Sequence, residues 1–257
     1  MESTDKDEDW ELSSVRRAFN ILEIIDENDG IGIDELADRE NMPRSTAHIY
    51  LKSLAKTGFV VEEDGTYRLS LQFLEYGGRV RRKRKLYHVG KDEIKDLADK
   101  TGEVASLGIE ENGKRVLIYK SEGGDAIYDR APTGERTNLH WTALGKVILA
   151  YLPSERVDAI VEEHGLPELT EHTVTTRDSL RDELETIRER GYSLEDEERR
   201  SGVRSIAVPV QPDSEAVVGA VSLTGPKSKF TDERIESELL SKIENAVNVI
   251  EIRYNHY

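Results

Sequence analysis

Only Asn41-Met42-Pro43 separates two helical patterns, too little chain for anything but a tight turn. Proline lacks an amide hydrogen and fixes its φ, which suits the opening of a helix. Upstream, SSVRRAFNILEIIDEN (13–28) spaces Val15, Ala18, Phe19, Leu22 and Ile25 at helical intervals, with Ser13 or Ser14 available as a cap. Gly30-Ile31-Gly32-Ile33 breaks that helix and leads into a short one over residues 34–40 that buries Leu36 and Ala37. After the turn, a third helix runs to about Thr57, with Ala47, Tyr50 or Leu51, Leu54 and Ala55 on one face. Gly58 stops it, and FVVEEDGTYRLS reads as two short strands around Asp64-Gly65. Helix, short helix, tight turn, helix and hairpin in this order predict a winged helix-turn-helix over residues 13–70, preceded by an acidic, flexible tail, 1–12.

Charge supports the same element. The chain carries 52 Asp and Glu against 36 Lys and Arg, a net −16. Yet no acid occurs from Asn41 to Val61, a stretch that holds Arg44, Lys52 and Lys56. The fifteen residues before it hold seven carboxylates and one arginine. A helix in the major groove lies beside phosphates, where carboxylates are repelled and Lys, Arg, Ser and Thr are useful. Arg44, Ser45, Thr46, His48 and Lys52 are therefore expected to face double-stranded DNA, with Arg68 of the wing on the backbone. The remaining acids are spread over every segment, which fits a surface suited to a salty cytoplasm better than one acidic docking patch.

Residues 71–90 continue as an interrupted connecting helix with a dense basic run, Arg79, Arg81, Arg82, Lys83, Arg84 and Lys85, followed by Lys91. Two readings of the run stay open: contact with DNA backbone, or pairing with the acidic C-terminal half; a targeting signal is a third. From residue 91 the pattern becomes mixed. A helix covers 92–100, EVASLGIEENGKRVLIYKSEG gives two strands around Asn112-Gly113, and AIYDRAP gives a third. LHWTALGKVILAYL (139–152) is an apolar helix, 154–164 and 179–190 are amphipathic helices, GVRSIAVPVQP and AVVGAVSLTGP are strands, and 231–253 is a closing helix. The fold class is thus α+β in two domains, the second an antiparallel sheet flanked by helices.

Much chemistry is excluded. The sequence has no cysteine, so disulfides and thiolate catalysis are out. No apolar run reaches membrane-spanning length and the N-terminus lacks an apolar signal core, so a cytoplasmic protein without membrane partners is expected. LGK at 144–146 fails as a phosphate loop, because His140 and Val147 stand where Gly and Ser or Thr are needed. His164 and His172 have no metal-ligand spacing and read as surface histidines. Glu195 to Glu198 read as an exposed acidic turn rather than as acid–base carboxylates. No catalytic residue, metal or cofactor is expected. An enzyme, or a ligand-blind architectural DNA-binding protein, are the competing functions. On the last two strands, Val203, Ser205 and Ala207 share one face and Ala220, Ser222 and Thr224 another, while Val221 and Leu223 point the other way. Such small, hydroxyl-bearing faces suit either a small polar ligand or close packing against a helix, and the 139–152 helix could offer free amides to an anion.

The stretches PRSTAHIYLKSLAKTGFVVEEDGTYRLS, LADKTGEVASLGI, LHWTALGKVILAYLP, TVTTRDSLRDELETIRERGYSLEDEERRSGVRSIAVPV and AVVGAVSLTGPKSKF resemble the IclR (isocitrate lyase regulator) family of transcription factors. The likeness covers residues 13–250. It implies a winged helix-turn-helix, a linker helix and a GAF/PAS-like effector-binding and oligomerisation domain over 91–257. It further implies homodimers or tetramers on palindromic operator DNA, which repress or activate under control of a small metabolite, an organic acid or a sugar. Carried over by position, it implies an effector site of Ala143, Leu144, Asp196, Ser205, Ser222 and Thr224. Two positions depart from the family pattern: Ile49, where Arg is common, and Ser205, where Cys is frequent.

Overall fold

Helix α1 (Ser13–Glu27) buries Ile21, Ile24 and Ile25. The computed structural model describes residues 12–126, 131–212 and 216–257. The buried stripe of α1 lies beside the one expected: Val15 and Phe19 are exposed, because the helix carries more apolar surface than this core takes up. Leu12, not Ser13 or Ser14, holds the cap position. The Gly30–Ile33 break is also more than a connector. Strand β1 (Ile31–Gly32) pairs antiparallel with β3 (Thr66–Leu69), which pairs in turn with β2 (Val60–Glu63).

Helices α2 (Ile33–Arg39) and α3 (Arg44–Thr57) complete this unit, whose core joins Leu36, Ala47, Leu51, Val60 and a fully buried Tyr67. Asp64 and Gly65, with φ of 50° and 79°, make the two-residue turn of the hairpin. Gly58 ends α3 at φ 86°. Helix α4 (Gln72–Arg82) buries none of its residues, and the chain divides into two compact units between Val80 and Arg81.

The second unit is built on an antiparallel sheet of six strands in the order β6-β5-β4-β9-β8-β7, among the described residues. The strands are β4 (Val104–Glu111), β5 (Lys114–Glu122), β6 (Arg136–Asn138), β7 (Ser193–Asp196), β8 (Val203–Val210) and β9 (Gly219–Pro226). Of the expected strand AIYDRAP, residues 127–130 lie outside the described residues, as does the expected acidic tail over residues 1–11. One face of the sheet packs on α5 (Lys85–Thr101) and on the closing helix. That helix starts at Asp232–Arg234 (α9), passes through a π-helical turn over Ile235–Leu239, and ends in α10 (Leu240–His256). The other face packs on α6 (Ala143–Tyr151), α7 (Ser154–His164) and α8 (Arg177–Arg190).

The alternation read from the sequence holds on the central strands. Ile206, Val208, Val221 and Leu223 enter the core under α5 and α10, while Ala207 and Ala220 face α6. Helix α6 comes so close to the turn before it that a Cβ on Gly145 would stand 2.0 Å from the Leu139 carbonyl oxygen and 2.5 Å from its Cα. Backbone on both sides leaves no side chain to give way. Gly145→Ala is expected to destabilise the second unit by about 1–3 kcal/mol, seen as a lower urea midpoint by circular dichroism, with the first unit unaffected.

Candidate functional site

On α3 the polar face carries exposed Arg44, Ser45 and His48, with Thr46 and Lys52 half-buried, and Ile49 projects 64% exposed in the middle of it. Three of the cations are already paired. Arg44 Nε lies 2.9 Å from Asp34 of α2, Lys52 Nζ 2.5 Å from Glu62 of β2, and Arg68 3.6 Å from Glu63. The Glu62 carboxyl is lowered, first by the hydrogen bond from Lys52, and the Lys52 amine is raised by the same bond.

The basic run is largely held by the protein itself. Arg79 pairs with Glu75 and stacks on Tyr76, Arg81 lies over Tyr87, Arg84 bonds Glu111, and Lys85 sits 4.2 Å from the Tyr254 ring centre. Pairing within the chain therefore accounts for much of it.

The second unit holds a cavity of about 280 Å³ on the α6 side of the sheet. Strands β4, β8 and β9 contribute Ser106, Ser205, Ser222 and Thr224, and the first turn of α6 contributes Ala143 and Leu144. Ser106 stands opposite Ser222, and Ser205 opposite Thr224, so the hydroxyls come from paired register positions. Thr142 caps α6 by accepting from the Gly145 amide at 3.0 Å, and the helix start directs its positive end at the cavity. The sequence expectation thus brings five of its six positions together. Asp196 is the correction. It falls on the opposite side of β7, where it pairs with Lys227 and Arg204, because one residue along a strand reverses the side chain. Glu195 faces the cavity in its place, opposite Ser205.

The acidic stretch is likewise not an exposed turn, since Glu195 is 3% and Glu198 7% exposed. Ser205 donates to Glu195 Oε2 at 2.8 Å, the Arg199 amide donates to Oε1 at 3.1 Å, and Thr224 donates to Ser205 at 3.1 Å. Burial raises the Glu195 carboxyl, and the Ser205 hydroxyl and Arg199 amide offset part of that. Glu198 is raised by burial as well and is partnered by the buried Lys146 at 2.5 Å, which also reaches Glu183. The LGK lysine is thus an internal counter-charge.

Residue-type spacing missed the strongest charges in the cavity. Arg115, 2% exposed, donates to Glu135 at 2.7 Å and to Thr137 at 3.0 Å, and Arg199 donates to the other Glu135 oxygen at 2.7 Å. Arg115 and Leu117 alternate on one face of β5, a signal that was available in the sequence. Glu135 sits in a loop, where no periodicity marks it. His164 Nε2 donates to the Asn112 carbonyl oxygen at 3.1 Å, and His172 is exposed beside Glu171. Among the described residues no group of three His, Asp or Glu side chains could hold a metal ion.

A helix-turn-helix unit and a sheet domain with a polar cavity now stand on one chain. Residues 14–64 match the IclR helix-turn-helix domain, and residues 79–252 match the bacterial transcriptional regulator IclR C-terminal domain. The chain belongs to the IclR family. It is a DNA-binding transcriptional regulator with a C-terminal effector-binding domain. It is 33% identical over 256 residues, 98% of this chain and 97% of the other, to a probable HTH-type transcriptional regulator ArcR of Halobacterium salinarum. The crystal structure of the Thermotoga maritima IclR matches with a TM-score of 0.78 at 31% identity, covering 95% of this chain and 99% of that one. An IclR homologue from Microbacterium hydrocarbonoxydans, complexed with 4-hydroxybenzoate, shares the fold with a TM-score of 0.79 at 20% identity, over 95% and 100% of the two chains. No described helix of this chain is long and apolar enough to cross a membrane.

The raised Glu195 carboxyl has a consequence for stability. Folding favours its protonated form, so its contribution is full below the unfolded carboxyl pKa and is lost as pH rises through the folded one. Between pH 4 and 8, Glu195→Gln should show a shallower loss of melting temperature than the unaltered protein, by thermal unfolding at each pH.

Proposed function

We propose that this family member is a cytoplasmic homo-oligomer that holds palindromic operator DNA with Arg44, Ser45, Thr46, His48 and Lys52 of α3 and Arg68 of the wing. A small hydroxylated carboxylate in the sheet cavity controls that grip. The observation that carries the ligand class is the convergence of three guanidinium groups (Arg115, Arg199 and Arg200) against two carboxylates (Glu135 and Glu195), with the α6 helix start and the hydroxyls of Ser106, Ser205, Ser222 and Thr224, on one space of about 280 Å³. Cations and a helix N-terminus favour an anion, and the serines and threonine supply donors and acceptors for hydroxyl groups. The volume suits a metabolite-sized organic or sugar acid rather than a nucleotide. Ala143, Leu144, Glu195, Ser205, Ser222 and Thr224 would line it, with Arg115 and Arg199 on the charge.

Self-association is supported by the first unit. Val15 and Phe19 of α1, with Leu74 and Val80 of α4, are 50–71% exposed apolar side chains that a second copy would cover. The dispersed acid excess supports life at high salt. The relatives are named as regulators, which supports a non-enzymatic role. A ligand acts on such a protein only through unequal affinity for two arrangements, and must discriminate between the operator-competent one and another.

Fluorescence anisotropy on duplexes tiled upstream of the protein's own and neighbouring genes tests the DNA half. Sequence-selective binding is expected, and it should be abolished in Arg44→Glu/Lys52→Glu. A thermal-shift panel of hydroxy-carboxylates tests the other half. A ligand at 100 times its Kd should stabilise the unit by about 2.7 kcal/mol, and Arg199→Ala should remove most of that. Selective DNA binding with no stabilising metabolite would favour the ligand-blind architectural role instead.

A further inference from the structure

Three of the four cations of the DNA-facing surface, Arg44, Lys52 and Arg68, have a carboxylate in reach, supplied from a neighbouring element. Asp34 comes from α2, and Glu62 and Glu63 come from β2 of the wing. The distances are 2.9, 2.5 and 3.6 Å for Arg44, Lys52 and Arg68. Lys56, in the last turn of α3, is a fourth cation, so four cations meet these three carboxylates. We propose that Asp34, Glu62 and Glu63 are built-in counter-ions that flatten the salt dependence of DNA binding. The proposal rests on the DNA-binding assignment of α3 and the wing.

Each phosphate neutralised by a protein cation releases a condensed counter-ion, and affinity falls with salt at a log–log slope of about −0.9 for each. What matters is the net charge the surface delivers to the duplex. A surface of four cations alone would give a slope of about −3.6 from these groups. With three carboxylates held against the same cations the delivered charge is near one, and the slope from them falls to about −0.9.

Two properties make the pairs suited to this role. All six side chains are 36–71% exposed, so the pairs are weak and open readily beside a phosphate. The carboxylates are also fixed by a helix and a strand rather than by a tail, so they cannot retreat from the phosphates. Two like charges about 4 Å apart cost about 1 kcal/mol even in water, which a cation from solution relieves. Binding thereby gives up affinity at low salt and keeps it at high salt. Exposed Ile49, where charge would add salt sensitivity, contributes contact that salt does not weaken.

The test measures slopes. Wild type, Asp34→Asn/Glu62→Gln/Glu63→Gln and a control, Glu155→Gln/Glu162→Gln/Glu189→Gln, are titrated by anisotropy against a random-sequence 30-base-pair duplex and the tiled upstream duplexes, from 50 mM to 2 M KCl. The control removes three exposed carboxylates of α7 and α8, so it changes the net charge equally but at a distance along the chain. The triple surface variant should bind more tightly at 50 mM and show a slope steeper by about 2–3, while the control matches wild type. Glu62→Gln alone should supply about one third of the change. Equal slopes in wild type and surface variant, or a control that steepens as much, would overturn the built-in counter-ion and leave the DNA-binding assignment standing. Absence of binding by all folded proteins to every duplex at 50 mM would overturn both.

Discussion

Two-residue alternation on an antiparallel sheet sets everything that the second unit does. Along β8 and β9 the same backbone sends Ile206, Val208, Val221 and Leu223 into a core and Ser205, Ser222 and Thr224 into a cavity. A slip of one residue would exchange them, burying hydroxyls under α5 and opening valines to the ligand space. The cost of that exchange fixes the register, and the register fixes which hydroxyls meet: Ser205 with Thr224, and Ser106 with Ser222. Helix α6 can then bring its N-terminus over this face only because Gly145 lets its backbone lie against Leu139.

Internal pairing of charge recurs throughout the molecule. In the cavity Glu135 spans Arg115 and Arg199, one oxygen to each guanidinium group. Under α6, Lys146 is buried with Glu198 and Glu183. Around α3 and the hairpin, Asp34, Glu62 and Glu63 pair with Arg44, Lys52 and Arg68 at exposed positions. Burial separates the consequences. A nearly buried pair is barely screened, so breaking one partner leaves a costly charge behind, whereas exposed pairs exchange partners with phosphate or salt. An acid excess of this size thus leaves few cations uncommitted, and an incoming anion meets competition from the protein's own carboxylates.

How far the sequence could be read follows from the same physics. The hairpins at Asp64-Gly65 and Asn112-Gly113 were legible because only a few residue types tolerate positive φ at both turn positions. The α3 face was legible because acids are missing from it, and the β8 and β9 faces because alternation is strict. Which of Glu195 and Asp196 faces the cavity is set by the β7 register, and the burial of Glu195 and Glu198 by partners distant in sequence, Ser205 for one and Lys146 for the other, so neither is marked locally. The Val15 and Phe19 face of α1 shows the limit of periodicity, which finds apolar stripes but not which of two stripes the core will use. Glu135 had no local signature at all.

The cavity lies one strand thickness from the helix by which the chain enters the second unit. Strand β4 turns Ser106 to the cavity and Ala105, Leu107 and Ile109 to the core that holds Leu86 and Val89 of α5. At the N-terminus of that helix, Arg84 bonds Glu111, which also accepts from Arg136 of β6, so the helix start is tied to the end of the β4–β5 hairpin. Arg115, on β5 of the same hairpin, carries the buried contact to Glu135. A change at Glu135 would alter the charge pairing of Arg115 on β5, beside the β4 end where Glu111 meets Arg84 and Arg136. Coupling demands an element with two arrangements that both ends can bias. The β4–β5 hairpin, bonded into the cavity wall at Arg115 and to Arg84 at the start of α5 through Glu111, touches both.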